Sequence, residues 1–285
     1  MDELSQSWDA ETYRALGVFR FATPHDQAVL SDHWWAAPHR APYDISVVIP
    51  AFNEAGRIAP TLRDLVDHLG NSGGRFEVIV VDDGSTDATV EVVRSVAAEA
   101  PEISVVSFDA NTGKGAAVRH GVLRSTGALV AVVDADGATP IAELDRLVDA
   151  VDGGAGVAVG SRVGTAAGVD RVTKLHRRVM GRVFHAVVAM LVPAPVRDTQ
   201  CGFKLMTRPV ADAIFERVQS DGFSFDVEVL ARAAQAGVPI VELAVSWTDV
   251  PTSRVRLVRD SAAMFVDVVA IRRRVRRDPW TGPMG

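Results

Sequence analysis

Five short apolar runs, at residues 45–49, 78–81, 103–108, 129–133 and 157–159, constrain this chain more than any other feature. Each is rich in β-branched residues and lacks the alternation of a half-exposed strand, so each reads as a strand buried on both faces. Segments with helical periodicity lie between them, at 58–69, 88–99, 116–123 and 141–151. Thr86 or Asp87 can cap the second of these, and Pro140 suits the first turn of the fourth. Strand and helix therefore alternate from residue 45 to about 160. That order predicts an α/β fold, a doubly wound and mostly parallel sheet with helices on both faces. Helical periodicity resumes at 172–191, 210–218 and 225–235, with one more strand expected at 240–245. Residues 1–43 stand apart: they hold Trp8, Phe19, Phe21, Trp34 and Trp35 without a clear period, and Pro38 and Pro42 close them. The expected organisation is an N-terminal extension at 1–43, a single domain at 44–277 ending in a C-terminal helix, and a tail at 278–285.

Composition narrows the partners. Thirty Lys and Arg against 36 Asp and Glu leave a net charge of -6, which argues against non-specific nucleic-acid binding. The single cysteine, Cys201, can form no internal disulfide and no structural zinc site, which points to a reducing compartment. The N-terminus is acidic where an export signal would be basic, and the apolar stretches at 186–196 and 262–271 are short and interrupted. A cytoplasmic protein is expected, soluble or peripheral at the cytoplasmic membrane face. The 262–271 stretch runs into Arg272, Arg273, Arg274, Arg276 and Arg277. Such a helix either lies on anionic lipid or packs on the core with cations at its negative end.

The polar residues cluster where the strands end. The first strand runs into Pro50-Ala51-Phe52-Asn53-Glu54, the second into Asp82-Asp83-Gly84-Ser85, and the fourth into Asp134-Ala135-Asp136-Gly137. In an open α/β sheet these carboxyl ends form the ligand crevice. Carboxylates crowded there repel one another unless a cation or hydrogen-bond donors intervene. Turn-forming and capping account for Asp87, and they account poorly for Asp134 and Asp136 leaving one strand together. Carboxylate oxygens suit Mg²⁺ or Mn²⁺, ions that commonly bridge to substrate phosphates. No P-loop is present. Gly113-Lys114-Gly115 reads either as a loop with Lys114 near a diphosphate or as a plain helix start.

These motifs, with Asn111–Gly115 in their order, resemble the family 2 glycosyltransferases of the GT-A fold. Further on, Gly160-Ser161-Arg162, Asp198-Thr199-Gln200-Cys201-Gly202-Phe203-Lys204 and Phe223-Ser224-Phe225-Asp226-Val227-Glu228 are similar to the dolichyl-phosphate glucosyltransferase and polyprenyl-phosphate mannosyltransferase branch. The likeness spans about 45–277 and implies a donor half at about 44–160 and an acceptor half at about 161–277.

The resemblance implies roles for single residues. Pro50, Phe52 and Glu54, with Asp82 or Asp83, would hold the nucleotide, while Lys114 and Gly115 would lie at its diphosphate. Asp134 and Asp136 would bind Mg²⁺ or Mn²⁺, which neutralises the leaving diphosphate. The reaction implied is an inverting hexose transfer from a nucleotide-diphosphate sugar of the UDP-glucose or GDP-mannose type to a polyprenyl phosphate. Arg162, Arg177, Arg178, Ser253 and Arg254 would grip the acceptor phosphate, since guanidinium binds phosphate oxygens bidentately. A second reading keeps the donor and uses a soluble hydroxyl acceptor with Asp226 as base. Asp226 and Glu228 could instead orient arginines or sugar hydroxyls. Cys201 reads as buried packing. A nucleotidyltransferase is disfavoured because Phe52-Asn53-Glu54 stands where its Gly-rich basic loop would be, and a purely binding module is disfavoured by the intact aspartate pair. An oligomer is compatible with all of these readings.

Overall fold

The computed structural model describes residues 34–36, 41–163, 196–248 and 257–280, the last segment with its side chains from Val266 onward. Seven strands form one sheet: β1 (Tyr43–Ala51), β2 (Phe76–Asp82), β3 (Ile103–Ser107), β4 (Gly127–Val132), β5 (Val157–Ser161), β6 (Lys204–Thr207) and β7 (Ile240–Ala244). Their order is β3-β2-β1-β4-β6-β5-β7, and every pairing is parallel except the two that β6 makes with β4 and β5. The helices are α1 (Ile58–Ser72), α2 (Thr89–Ala97), α3 (Lys114–Arg124), α4 (Glu143–Asp152), α5 (Arg208–Phe215), α6 (Phe225–Gln235) and α7 (Leu257–Arg277).

Alternation along the buried strands sorts the core into two layers. Val47, Ile49, Val78, Val80, Ala131 and Val133 face Leu62, Leu65, Val93, Leu144 and Leu147 of α1, α2 and α4. Val48, Val130, Val132, Val157 and Val159 face Val118, Val122, Ile214, Val229 and Leu230 of α3, α5 and α6. Helices on both faces and a mostly parallel sheet are thus what the periodicity predicts. The strand missing from the sequence reading is β6, four residues long and buried throughout, which carries no alternation to detect. It begins at Lys204, the last residue of a run that reads as a site motif.

The chain leaves β1 toward β2 and β3 and returns to β4 on the other side of β1. The carboxyl ends of β1 and β4 therefore flank the topological switch point, where open α/β sheets bind ligands. Around the periphery, Trp34 packs edge-on against Trp280 with centroids 5.2 Å apart, and Thr207 Oγ1 donates to the Trp35 carbonyl at 2.7 Å. Trp34, Trp35 and Trp280 thus pack against the core layer that α5 and α6 build. The 172–191 helix expected from the sequence lies outside the described residues.

Candidate active site

At the switch point, backbone and side chain lace the β1 and β2 ends together. Asn53 sits at φ 55, a left-handed conformation that Asn tolerates. Its Oδ1 accepts hydrogen bonds from the Thr86 and Asp87 amides at 2.7 and 3.2 Å, and its own amide donates to Ser85 Oγ at 2.8 Å. Asp82 is buried and accepts the Ser85 amide at 3.2 Å. Asp83, also buried, accepts from Asn111 Nδ2 at 2.8 Å, the Thr112 amide at 2.7 Å and the Gly113 amide at 2.9 Å. Burial pushes the Asp83 carboxyl up, against the pull of these donors. Asp83 is therefore the peg that fixes the loop leading to Lys114. Pro50 is buried within β1, while Phe52 and Glu54 are half-buried at the crevice.

Arg57, which sequence reading missed, joins the carboxylates. Its guanidinium forms a two-armed pair with Glu54, and its Nη1 lies 4.0 Å from Asp136 Oδ2. The available signal was its position three residues after Glu54, the reach of one helical turn.

Asp134 and Asp136 emerge just beyond β4, both half-buried. Asp134 Oδ1 receives Lys114 Nζ at 2.6 Å. Burial opposes the Lys114 charge, but Asp134 and Asp226 outweigh it and raise the ammonium's pKa. Gly202 closes the other side of Asp134: a Cβ there would overlap the carboxylate and force it to turn away. Burial and the neighbouring Asp134 charge push the Asp136 carboxyl up, the strain that a divalent cation relieves. Two carboxylates at a crevice mouth fit a hard cation. Among the described residues no group of three or more His, Cys, Asp or Glu is placed to hold a metal ion by itself.

The far wall is built from the downstream motifs. Arg162 is held by Asp198 through Nε and Nη2, both at 2.8 Å, while its amide donates to Asp198 Oδ2 at 2.9 Å. Burial weakens the Arg162 charge, yet the Asp198 carboxylate more than restores it and lifts the pKa above its ordinary value. Asp198 itself is held below the usual carboxylate range by Arg162, burial notwithstanding. A narrow cleft of about 20 Å³ runs between Asp134 and Arg162, with Cys201, Phe203 and Trp247 along it. The Arg162 guanidinium lies 5.9 Å from the Trp247 ring centroid.

Asp226 lies behind this wall, 3% exposed, with Oδ1 receiving Lys204 Nζ at 2.5 Å. Lys204 Nζ also donates to the Cys201 carbonyl at 2.5 Å. Burial pushes the Asp226 carboxyl up, and the ammonium groups of Lys204 and Lys114 draw it back. Glu228 is fully buried and accepts from Arg232 Nε and Nη2 at 3.1 and 3.0 Å, so it orients an arginine. Cys201 is buried, and its thiol is pushed up to about 11 by burial. Arg177, Arg178, Ser253 and Arg254 lie outside the described residues.

A seven-stranded, mostly parallel sheet of this order, with helices on both faces and carboxylates at its switch point, is the α/β fold of the GT-A class. The chain belongs to glycosyl transferase family 2: the family's sequence profile matches residues 46–215. It is a transferase. The dolichyl-phosphate beta-glucosyltransferase of Saccharomyces cerevisiae is 36% identical over 248 residues, covering 80% of this chain and 74% of that protein. The Homo sapiens dolichyl-phosphate beta-glucosyltransferase is 32% identical over 259 residues, covering 86% and 79%. Among solved structures, glucosyl-3-phosphoglycerate synthase from Mycobacterium tuberculosis, in complex with Mn²⁺, UDP-glucose and phosphoglyceric acid, shares the fold. Its TM-score is 0.60 at 20% identity, covering 91% of this chain and 85% of that one.

Proposed function

We propose that this enzyme transfers glucose, with inversion, from UDP-glucose to a polyprenyl phosphate of the dolichyl type. The sugar and acceptor follow the names of relatives that match most of the chain. The observation that carries the acceptor is Asp226. A base for a hydroxyl acceptor must reach the proton it removes, and this carboxylate is buried in an ion pair with Lys204. A phosphate acceptor arrives already anionic and needs no such base, since its second pKa is near 6. It needs cations. Arg162 offers one at the cleft, its Nη1 making no hydrogen bond among the described residues while Asp198 fixes the other arms. Arg177, Arg178, Ser253 and Arg254 complete the proposed grip.

On the donor side, Phe52, Glu54 and Asp82 or Asp83 would frame the nucleotide beside Pro50, and Asp134 with Asp136 would hold Mg²⁺ or Mn²⁺. That ion supplies charge neutralisation for the leaving diphosphate. Manganese and UDP-glucose are named together in a structural neighbour. Lys114, already at Asp134, adds a second positive charge, and Gly115 opens α3 behind it.

Among the described residues no helix is long and apolar enough to cross a membrane. Peripheral contact is proposed through α7, whose Arg273, Arg276 and Arg277 are exposed beside the 67%-exposed Val266. The test is a two-way panel, UDP-glucose and GDP-mannose against a short-chain polyprenyl phosphate and 3-phosphoglycerate, each with Mn²⁺. The expected result is UDP release with UDP-glucose and the polyprenyl phosphate. Faster release with 3-phosphoglycerate would overturn the acceptor, and GDP release would overturn the donor.

A further inference from the structure

The first turn of α3 carries Lys114 to Asp134, yet no residue of its own caps it. The partner comes from the turn before α6. Gly115 and Ala116 amides both donate to the Asp221 carbonyl, at 2.7 and 3.2 Å. Contact there is backbone on backbone, because a Cβ at Gly115 would overlap the Ser220 carbonyl oxygen. Two unpaired amides at a helix start are satisfied this way, and the carbonyl sets where the helix begins.

That turn is itself held from behind. Glu228 Oε2 accepts the Ser220 amide at 3.0 Å and the Ser220 hydroxyl at 2.7 Å. Arg274 reaches in from α7, donating through Nη2 to Ser220 Oγ at 2.9 Å and standing 3.4 Å from Glu228 Oε2. The helix that brings Arg274 is docked by Val268 and Ile271 against Val227 and Ala231. A continuous chain of contacts thus runs from α7 through Arg274, Glu228 and Ser220 to Asp221, and from there through α3 to Lys114 and Asp134.

We infer that Arg274 is a positioning residue for the donor site: it braces the 219–221 turn, which holds Lys114 on the Asp134 carboxylate. The inference rests on the donor-site reading given above. Without Arg274, Ser220 and Glu228 lose a shared cation, and the turn under α3 is free to shift. The consequence falls on capture of the metal–nucleotide, because Lys114 and Asp134 act there. Supporting residues behind a metal ligand commonly matter by about tenfold in affinity.

The experiment is titration calorimetry of the full chain with UDP in the presence of Mn²⁺, with steady-state kinetics in parallel. Arg274→Ala is expected to weaken UDP binding about tenfold and raise the KM for UDP-glucose alike, with kcat within about twofold. Arg274→Lys, which keeps a donor to Ser220, is expected to recover most of the affinity. Val275→Ala loosens the same α6–α7 packing without touching Glu228, and is expected to bind UDP as the wild type does. Wild-type affinity in Arg274→Ala, or equal weakening in Val275→Ala, overturns the inference while the donor site stands. Failure of the wild type to bind UDP with Mn²⁺ overturns the donor site and the inference together. Where Arg274→Ala folds poorly, Ser220→Ala removes only the hydroxyl of the link and is read by the same criteria.

Discussion

Asp134 and Asp226 are both aspartates of matched motifs, and their surroundings differ. Asp134 stands half-buried at the crevice beside Lys114, whereas Asp226 is sealed in with Lys204. Asp136→Asn is therefore expected to lower turnover on the order of 10²-fold, because diphosphate charge goes unneutralised. Chelation with EDTA is expected to abolish transfer, and added Mn²⁺ to restore it; undiminished turnover in EDTA would refute the metal site. Asp226→Asn is expected to act chiefly on stability. Removing one partner of a buried ion pair costs about 3–5 kcal/mol, so its melting temperature falls, and Arg162→Ala is the more damaging change to kcat/KM. A fully folded but inactive Asp226→Asn would instead reinstate the hydroxyl acceptor. The aspartates at the rim were legible in the sequence because strand ends and ligand crevices coincide. The Lys204 partnership was not, because 22 residues separate the pair and no local period links them.

At the scale of elements, α7 packs on the core with one face and leaves the other exposed. One side of it packs: Val268 and Ile271 are fully buried, with Val275 beside them. The other side carries exposed Arg273, Arg276 and Arg277, so the proposed lipid contact would use a different face from the one that packs. Replacing these three arginines by serine is expected to abolish co-sedimentation with anionic vesicles while leaving the melting temperature unchanged. Raised salt should weaken the wild type in the same assay. Equal binding to neutral and anionic vesicles would remove the electrostatic argument. Ile271→Ala is expected to cost about 2–5 kcal/mol by urea unfolding, since its side chain is enclosed.

For the whole molecule, the Arg162–Asp198 pair ties the end of β5 to the segment that leads into β6, across 36 residues. The Arg162 guanidinium holds the Asp198 carboxyl below the ordinary carboxylate value, although burial works the other way. A depressed folded-state pKa means that the stabilisation is complete above the unfolded value and is lost as pH falls through the folded one. Asp198→Asn is accordingly expected to be less stable than the wild type at pH 7. The two should converge only below about pH 4, as thermal melts across that range would show. A constant difference down to pH 3 would mean that Asp198 contributes by packing alone.

The alternation of β-branched runs with amphipathic segments determined most of this fold, because a buried parallel strand and its crossover helix are each encoded over a few adjacent residues. The same local encoding placed Asn53, Glu54, Asp134 and Asp136 at the carboxyl ends of β1 and β4. Tertiary structure alone decided the rest. It inserted β6 antiparallel between β4 and β5, joined Arg57 to Asp136, buried Asp226 on Lys204, and set Arg274 behind the turn that caps α3. Each of these depends on desolvation and on charges brought together across the folded chain, energies that exist only once the layers have closed.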